Sequence, residues 1–504
     1  MTFPRHLLRQ RPRLVTTTRL IQSAQRPRFS STKPQISYSR AGLTALVGTV
    51  AGYSAHSISQ NGGSDSNTKE VAAATLAPVL GSHQVPDLDQ SGPSDQVAFA
   101  PAPTMDDVEK HLNEHAFSLE PALGVRRYDG AQLGSNNPCE DALLHGQFTS
   151  AVGADRWLAW AVFDGHCGWQ LSHLLTTQLM PYVRRALADA GSDREGKAQD
   201  VPEEAVHSAL KAAFTSLDDA LVKTARDTIE SDLPFAEKVK RLEPAYAGAC
   251  ALLTLYDPAA RKLRVASTGD CRAVLGQRTA DGRWRATALS QDCTGATPSE
   301  AARVQAQFPD EPDVVRGGRI WGMQPSRTFG DGMWKWPAQL KEQLRLRFNG
   351  NGLPHHLRYK NYREGPYLTA EPLVTTTDIP ASQPSFVILA TDGLWDTMSS
   401  EQAVDLVGKW MDWRTSGRNP KPVKPEPSDF GPTVLGWAQQ CKYEEKKATV
   451  QDENAAVHLI RNGLGGGDDE MVRGALTFRY NSRDIRDDIT VQVVFFDPKQ
   501  GKDT

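Results

Sequence analysis

Acidic residues recur at the ends of apolar segments that have the length and composition of buried strands. Residues 157–163 (WLAWAVF) are short, aromatic-rich and uncharged, and they run directly into an aspartate, a glycine and a histidine. A carboxylate at the rim of a core is costly to desolvate unless a cation or a basic group neutralises it. The pattern occurs at five places: Glu140-Asp141, Asp164-Gly165-His166, Gly269-Asp270, Asp392-Gly393 and Asp487-Asp488. One such site is readily a turn, but five are hard to explain in that way.

Carboxylates that converge from several strand ends on one cleft repel one another and raise each other's pKa. Hard cations that prefer oxygen ligands, Mg²⁺ or Mn²⁺, relieve this repulsion. Two such ions about 3.5–4 Å apart can activate a water molecule as the nucleophile and orient a phosphoryl group for in-line attack. His166, close to Asp164, is placed to protonate the leaving oxygen. These residues predict a binuclear hydrolase of phosphate esters; for Asp164 alone, a cap on a helix that begins near Trp169 is the alternative.

Composition excludes several other classes of protein. The chain has 504 residues and a formal net charge of −3, without the basic stripe of a nucleic-acid-binding protein, so we expect no nucleic-acid partner. Its six cysteines are scattered and form no C-x-x-C pair. This spacing indicates neither a zinc knuckle nor a disulfide framework, and it agrees with reduced thiols in an intracellular compartment.

The N-terminal region has the composition of a targeting segment. Every charged residue before Asp65 is basic, and the Arg-rich, Ser/Thr-containing composition of residues 1–40 predicts a mitochondrial transit peptide, with a disordered basic tail as the alternative. Residues 41–104 are expected to be a weakly apolar segment and a disordered linker. Residues 41–55 are short for a bilayer span, which needs ~20 residues, so a removed or disordered leader is favoured over a membrane anchor. We expect a mitochondrial protein, with the matrix favoured over the intermembrane space or inner-membrane attachment.

The remaining residues, 105–504, are predicted to form one catalytic domain. Strands are expected at 157–163, 250–256, 262–266, 386–390 and 489–496, and helices at 170–190 and 203–226. Because the strands come in clusters with long helices between them, antiparallel sheets covered by helices are favoured. Insertions are expected near 334–365 and 414–432. In the former, Trp334 and Trp336 either contact a protein partner or pack beneath the loop.

Six motifs in this sequence resemble those of the metal-dependent serine/threonine phosphatases of the protein phosphatase 2C type. They are N-N-P-C-E-D (136–141), F-D-G-H (163–166), S-T-G-D-C-R (267–272), S-R-T-F-G-D (326–331), T-D-G-L-W-D (391–396) and R-D-D-I-T (486–490). They follow the family's order over roughly residues 110 to 497. The resemblance implies an α+β fold, an α/β/β/α sandwich of two antiparallel sheets flanked by helices, with a binuclear metal cleft at one end.

The same resemblance implies a set of metal ligands: Glu140, Asp164, the Gly165 carbonyl, Asp270, Asp392 and Asp487. Asp164 is expected to bridge two Mg²⁺ or Mn²⁺ ions, with Glu140 and Gly165 completing one site. Asp392 and Asp487 are expected to hold the other ion. Asp270 together with Asp392 is expected to bind a weaker third ion.

Other residues near these ligands carry implied roles as well. The resemblance makes His166 the general acid, and it places Asp141 behind the ligands or in contact through water. Many relatives carry an arginine for the substrate phosphate where this chain has Asn136, which has no charge. Phosphate binding must then depend on the metals or on another basic residue. Asp488 replaces a frequent asparagine and keeps a polar group beside Asp487.

Asn136, the stretch G-D-G-M-W-K-W, the insertion after it and P-Y-L-T-A-E-P are similar to the mitochondrial pyruvate dehydrogenase phosphatases within the family. The resemblance implies a protein serine/threonine phosphatase that uses metal-activated water and forms no phosphoenzyme. Its implied partners are the pyruvate dehydrogenase α subunit, which it would reactivate, and the lipoyl-bearing scaffold. The alternatives are a mitochondrial relative with a different or broader substrate range, a catalytically inactive scaffold, and a phosphohydrolase of small molecules.

Overall fold

The computed structural model describes residues 101–152, 156–191, 201–348, 363–416, 442–477, 483 and 486–498. The predicted transit peptide (1–40) and the apolar segment 41–55 lie outside the described residues, as does the linker up to residue 100. Of the two predicted insertions, residues 349–362 and 417–432 lie outside them as well.

The strands form two large antiparallel sheets. Sheet 1 has the order β1 (Phe117–Leu119), β2 (Val125–Leu133), β14 (Ile489–Phe496), β13 (Ser385–Ala390), β7 (Arg272–Arg278), β8 (Trp284–Ala288). Sheet 2 has the order β12 (Leu373–Asp378), β6 (Lys262–Ser267), β5 (Gly248–Asp257), β4 (Arg156–His166), β3 (Ala142–Thr149), and the short β11 (Phe329–Gly330) also pairs with β5. A separate hairpin consists of β9 (Val315–Arg316) and β10 (Arg319–Ile320).

Helices cover the outer face of each sheet. Sheet 1 packs against α1 (Met105–Asn113), α9 (Ser400–Ser416), α10 (Ala455–Leu464) and α11 (Asp469–Thr477). Sheet 2 packs against α2 (Gln170–Gly191) and α3 (Glu203–Glu230). The other helices are α4 (Phe235–Tyr246), α5 (Pro298–Gln307), α6 (Gly332–Lys335), α7 (Ala338–Phe348) and α8 (Asp392–Trp395). Among the residues placed by the structure, no helix is both long and apolar enough to span a bilayer.

The inner faces of the two sheets share one apolar core, which explains the uncharged sequence of β4. Leu158, Trp160 and Val162 face this core, whereas Trp157 and Phe163 pack with the helices outside sheet 2. Both faces of β4 are therefore buried, as the continuous apolar run predicted. The α/β/β/α sandwich of antiparallel sheets is confirmed.

The antiparallel registers bring the acidic motifs to one end of the sandwich. In sheet 2, Ala142 pairs with Phe163, so the start of β3 lies beside the end of β4. In sheet 1, Ala390 pairs with both Val491 and Arg272, so the end of β13 lies between the start of β14 and the start of β7. Each acidic motif lies within one of these strand ends or no more than two residues from it.

Trp334 and Trp336 lie in the interior of the folded domain. Trp334 is 7% exposed and Trp336 is fully buried, and the indole N–H of Trp336 donates to the carbonyl of Val222 in α3 at 3.1 Å. These two rings therefore pack within the domain and do not form a contact surface for a partner. Helices α6 and α7 occupy the part of the predicted insertion that the structure describes.

Candidate metal centre

Three carboxylates from three separate strand ends meet at this end of the sandwich. One oxygen of each of Asp164, Asp270 and Asp392 lies within 4.8 Å of the others. Asp164 lies near the end of β4, opposite Cys250, and Asp392 begins α8 one residue after the end of β13. Asp270 follows Gly269, which has a φ of +68° and lies so close to the Cys250 side chain that any Cβ there would clash with its sulfur. The backbone conformation at these strand ends thus brings three carboxylates close together.

Burial and mutual repulsion disfavour the charged forms of these groups. Burial, and then repulsion by Asp392, Asp141 and Asp270, raises the pKa of Asp164 well above its ordinary value. Burial, and then repulsion by Asp270 and Asp396, raises the pKa of Asp392 to about 7. A donor set of crowded carboxylate oxygens is the kind that hard divalent cations prefer, and a bound cation would relieve the repulsion.

Glu140 and Gly165 lie against each other beside this group. A Cβ on Gly165 would be only 2.1 Å from the carbonyl oxygen of Glu140, so this approach requires glycine. The Glu140 carboxylate accepts hydrogen bonds from the Gly168 amide (2.6 Å) and from the Asn136 side-chain amide (3.1 Å). Asn136 therefore orients a predicted metal ligand.

Asp488 organises the loop that carries Glu140. Its carboxylate is 2% exposed and accepts hydrogen bonds from the backbone amides of Ser135, Asn136 and Glu140, the last at 2.8 Å, and from the Asn136 side chain at 2.9 Å. Burial raises the pKa of Asp488, but these hydrogen bonds outweigh burial and hold the pKa below its usual value. Asp488 thus fixes the loop through these hydrogen bonds, and the same hydrogen bonds stabilise its buried carboxylate.

Replacing Asp488 with alanine should therefore destabilise the fold. The variant leaves buried amide donors without an acceptor, and we expect the free energy of unfolding to fall by about 3 kcal/mol in urea denaturation. Asp488→Asn keeps one acceptor oxygen and should lose less. An Asp488→Ala protein as stable as the wild type would contradict this role.

Asp141 lies behind the carboxylate group. It is 2% exposed and accepts a hydrogen bond from the Thr391 hydroxyl at 2.8 Å, and that hydroxyl in turn accepts from the Thr490 amide at 3.0 Å. Burial, and then repulsion by Asp488, raises the pKa of Asp141 well above its usual value. The side chain ties together the strands that carry the acidic motifs.

Asp487 carries a basic partner that sequence reasoning missed. Its carboxylate is paired with the Arg483 guanidinium and also accepts from the Asp488 amide at 2.7 Å. The Arg483 charge also offsets part of the rise in the pKa of Asp392. The only sequence signal for this residue is its position four residues before Asp487. Gln324 was missed as well, and its side-chain amide donates to Asp270 at 3.1 Å.

His166 ends β4 beside the carboxylate group. Its Nε2 lies 2.9 Å from Oδ2 of Asp331, an aspartate that is fully buried. Burial lowers the pKa of His166, but Asp331, followed by Asp270 and Glu140, raises it above its ordinary value. The environment favours the protonated imidazole, which is the form that a general acid needs.

Comparisons with known proteins agree with these motifs. A sequence model of the protein phosphatase 2C family matches residues 129–430, which include Asp164, Asp270 and Asp392. A protein phosphatase 2C homologue of Schizosaccharomyces pombe is 38% identical over 380 residues, covering 75% of this chain and 81% of that protein. Mitochondrial pyruvate dehydrogenase phosphatase 1 of Saccharomyces cerevisiae is 32% identical over 420 residues (77% and 71% covered). Human mitochondrial pyruvate dehydrogenase phosphatase 2 is 28% identical over 429 residues (74% and 78% covered).

Proposed function

The chain belongs to the protein phosphatase 2C family of metal-dependent serine/threonine protein phosphatases, and from this premise we propose that it reactivates mitochondrial pyruvate dehydrogenase by dephosphorylating the α subunit. The main support for phosphatase chemistry is that the carboxylates of Asp164, Asp270 and Asp392 lie close together at one end of the sandwich. Two observations support the choice of substrate. Relatives named pyruvate dehydrogenase phosphatases align with most of this chain. The motif resemblance also implies that Asn136 stands where many family members carry arginine.

We assign the metal ligands as the resemblance implies: Glu140, Asp164, the Gly165 carbonyl, Asp270, Asp392 and Asp487. They would hold two Mg²⁺ or Mn²⁺ ions, and Asp270 and Asp392 would hold a third. When bound, the ions supply Lewis acidity that activates water and neutralises the phosphoryl oxygens. Asn136 orients Glu140 through its 3.1 Å hydrogen bond, and Asp488 holds the loop on which both residues lie.

His166 would protonate the serine oxygen as it leaves phosphorus. Its pKa is raised, which favours the protonated ring, and it lies at the end of β4, two residues after Asp164. No step forms a covalent phosphoenzyme. Because the Asn136 side-chain amide donates to Glu140 and Asp488, we propose Arg483, at the edge of the carboxylate group, as the basic side chain that holds the substrate phosphate.

We place the protein in mitochondria, with the matrix favoured. The acid-free, Arg-rich composition of residues 1–40 and the mitochondrial names of two relatives support this location. The lipoyl-bearing scaffold of the dehydrogenase complex is a further proposed partner. A relative with a broader substrate range and an inactive scaffold are the alternatives, and the retained acidic ligands favour an active enzyme over the scaffold.

Substrate preference tests this proposal. The full chain should release phosphate from phosphorylated pyruvate dehydrogenase faster than from a generic phosphoserine protein, with Mg²⁺ or Mn²⁺ required for both. The measurement is the initial rate of phosphate release on each substrate, with chelator-treated enzyme as the control. Equal rates on the two substrates would favour a phosphatase with a broader substrate range. Release from neither substrate would favour the scaffold.

A further inference from the structure

The motif S-R-T-F-G-D (326–331) supplies none of the metal ligands assigned above. Its first residues are bound to Glu300: the Ser326 hydroxyl donates to that carboxylate, and the Arg327 guanidinium donates to it twice, at 2.9 and 3.0 Å. These contacts hold the segment in the fold. Its last residue, Asp331, instead reaches the end of β4.

Asp331 meets His166 in a buried setting. The carboxylate is fully buried, and its Oδ2 lies 2.9 Å from Nε2 of the imidazole, whose side chain is 20% exposed. The other carboxylate oxygen, Oδ1, has no hydrogen-bond partner within the part of the chain that the structure describes. The Asp331 side chain is thus dedicated to the histidine.

The fold enforces this contact through Gly248. Residue 248 begins β5 and pairs with His166 on one side and with Gly330 on the other. A Cβ on Gly248 would lie 2.1 Å from Nε2 of His166 and 2.4 Å from Oδ2 of Asp331. Only glycine leaves room for the two side chains to meet above the strand.

The backbone of Asp331 is held in place as well. Its φ of 49° and ψ of 43° are in the left-handed region, which is unfavourable for a residue other than glycine. Its amide donates to the Ala247 carbonyl at 2.9 Å, and the amide of Gly330 donates to the buried carboxylate of Asp218 at 2.8 Å. A strained conformation that neighbouring residues hold in place is typical of a residue with a positioning task.

We propose that Asp331 is a positioning residue that fixes the ring of His166 for proton transfer to the leaving group. Asp331 accepts the Nε2 proton, so the Nδ1 proton is the one that is transferred. The oxygen of the attacking water forms the new bond to phosphorus, and water loses a proton to solvent. The bond between phosphorus and the serine oxygen breaks, its electron pair stays on that oxygen, and the oxygen takes the proton from Nδ1. This inference rests on the proposed phosphatase function.

A comparison of leaving groups tests the proposal. A serine alkoxide needs a proton to leave, whereas p-nitrophenolate does not, so only the phosphoserine reaction depends on the histidine. In the full chain, Asp331→Asn should lower kcat on a phosphoserine protein by about 10²-fold, the ordinary contribution of a general acid, and leave KM unchanged. The rate on p-nitrophenyl phosphate should stay that of the wild type. His166→Ala combined with Asp331→Asn should be no slower than His166→Ala alone.

Two further variants keep this test interpretable. Gly248→Ala, which pushes the two side chains apart, should show the same selective loss as Asp331→Asn. Asp129→Asn is the matched control, because Asp129 is also fully buried but binds Arg127 and the Ala455 amide instead of His166. It should show no dependence on the leaving group.

The outcomes separate the positioning role from the function on which it rests. Selective loss of the phosphoserine reaction in Asp331→Asn and Gly248→Ala supports the positioning role. Equal loss on both substrates, or no loss on either, overturns it while the active wild type upholds phosphatase function. A wild-type protein that releases phosphate from neither substrate overturns the proposed function itself.

Discussion

Asp392→Asn should lower kcat by roughly 10³-fold, equivalent to ~4 kcal/mol of transition-state stabilisation. Asp392 lies within 4.8 Å of Asp164 and Asp270, and an amide at this position supplies no negative charge to a divalent cation. Calorimetric titration with Mn²⁺ should show weaker binding to the variant. Phosphate release from a phosphoserine protein measures the kinetic effect.

The same substitution should have the opposite effect on the stability of the metal-free protein. Burial and repulsion by Asp270 and Asp396 disfavour the charged form of Asp392, and an amide removes that repulsion. The metal-free variant should therefore have a higher Tm than the metal-free wild type. Asp405→Asn, which changes an exposed carboxylate of α9, is the control and should alter neither property. Full metal-dependent activity in Asp392→Asn would contradict the assignment.

Lys335→Met should reduce the free energy of unfolding by about 3–5 kcal/mol, the usual effect of removing one partner of a buried ion pair. The Lys335 ammonium lies 2.6 Å from Oδ2 of Asp218 and donates to the Thr328 carbonyl at 2.8 Å, with both side chains less than a tenth exposed. Without the lysine, Asp218 is left buried without its cation. Urea denaturation measures the loss.

A double variant and a variant of an exposed ion pair serve as comparisons for Lys335→Met. Asp218→Asn combined with Lys335→Met removes both charges and should recover part of the lost stability. Lys262→Met removes a lysine whose pair with Asp378 is exposed, and it should lower the free energy of unfolding by at most about 1 kcal/mol. If the variants of Lys335 and Lys262 are equally stable, the buried pair does not brace the fold as described.

The sequence predicted the strands that are buried on both faces. Continuous apolar runs such as those of β4 and β14 favour a buried strand over any other local structure. The predicted bounds of these strands are therefore close to those observed. Strand β2 (VRRYDGAQL) was missed because two arginines, an aspartate and a glycine interrupt its pattern. Its hydrogen-bonded neighbour β14 lies more than 350 residues away, and only the tertiary fold reveals that pairing.

In the candidate site, too, some features were predictable from local sequence and others depend on the tertiary fold. Acidic residues at strand ends were visible because each follows or precedes an apolar run, and the antiparallel registers bring Asp164, Asp270 and Asp392 together. The contact between His166 and Asp331 joins residues 165 positions apart and depends on the absence of a side chain at Gly248. A glycine at the start of a strand carries no local sign of what will lie against it.

The most direct test of the central claim is crystallographic. Crystals of the protein grown or soaked with Mn²⁺ should show anomalous difference density at the manganese edge between the carboxylates of Asp164, Asp270 and Asp392. Density there would establish the strand-end carboxylates as the metal centre. Ordered carboxylates with no anomalous density among them at saturating Mn²⁺ would contradict the account.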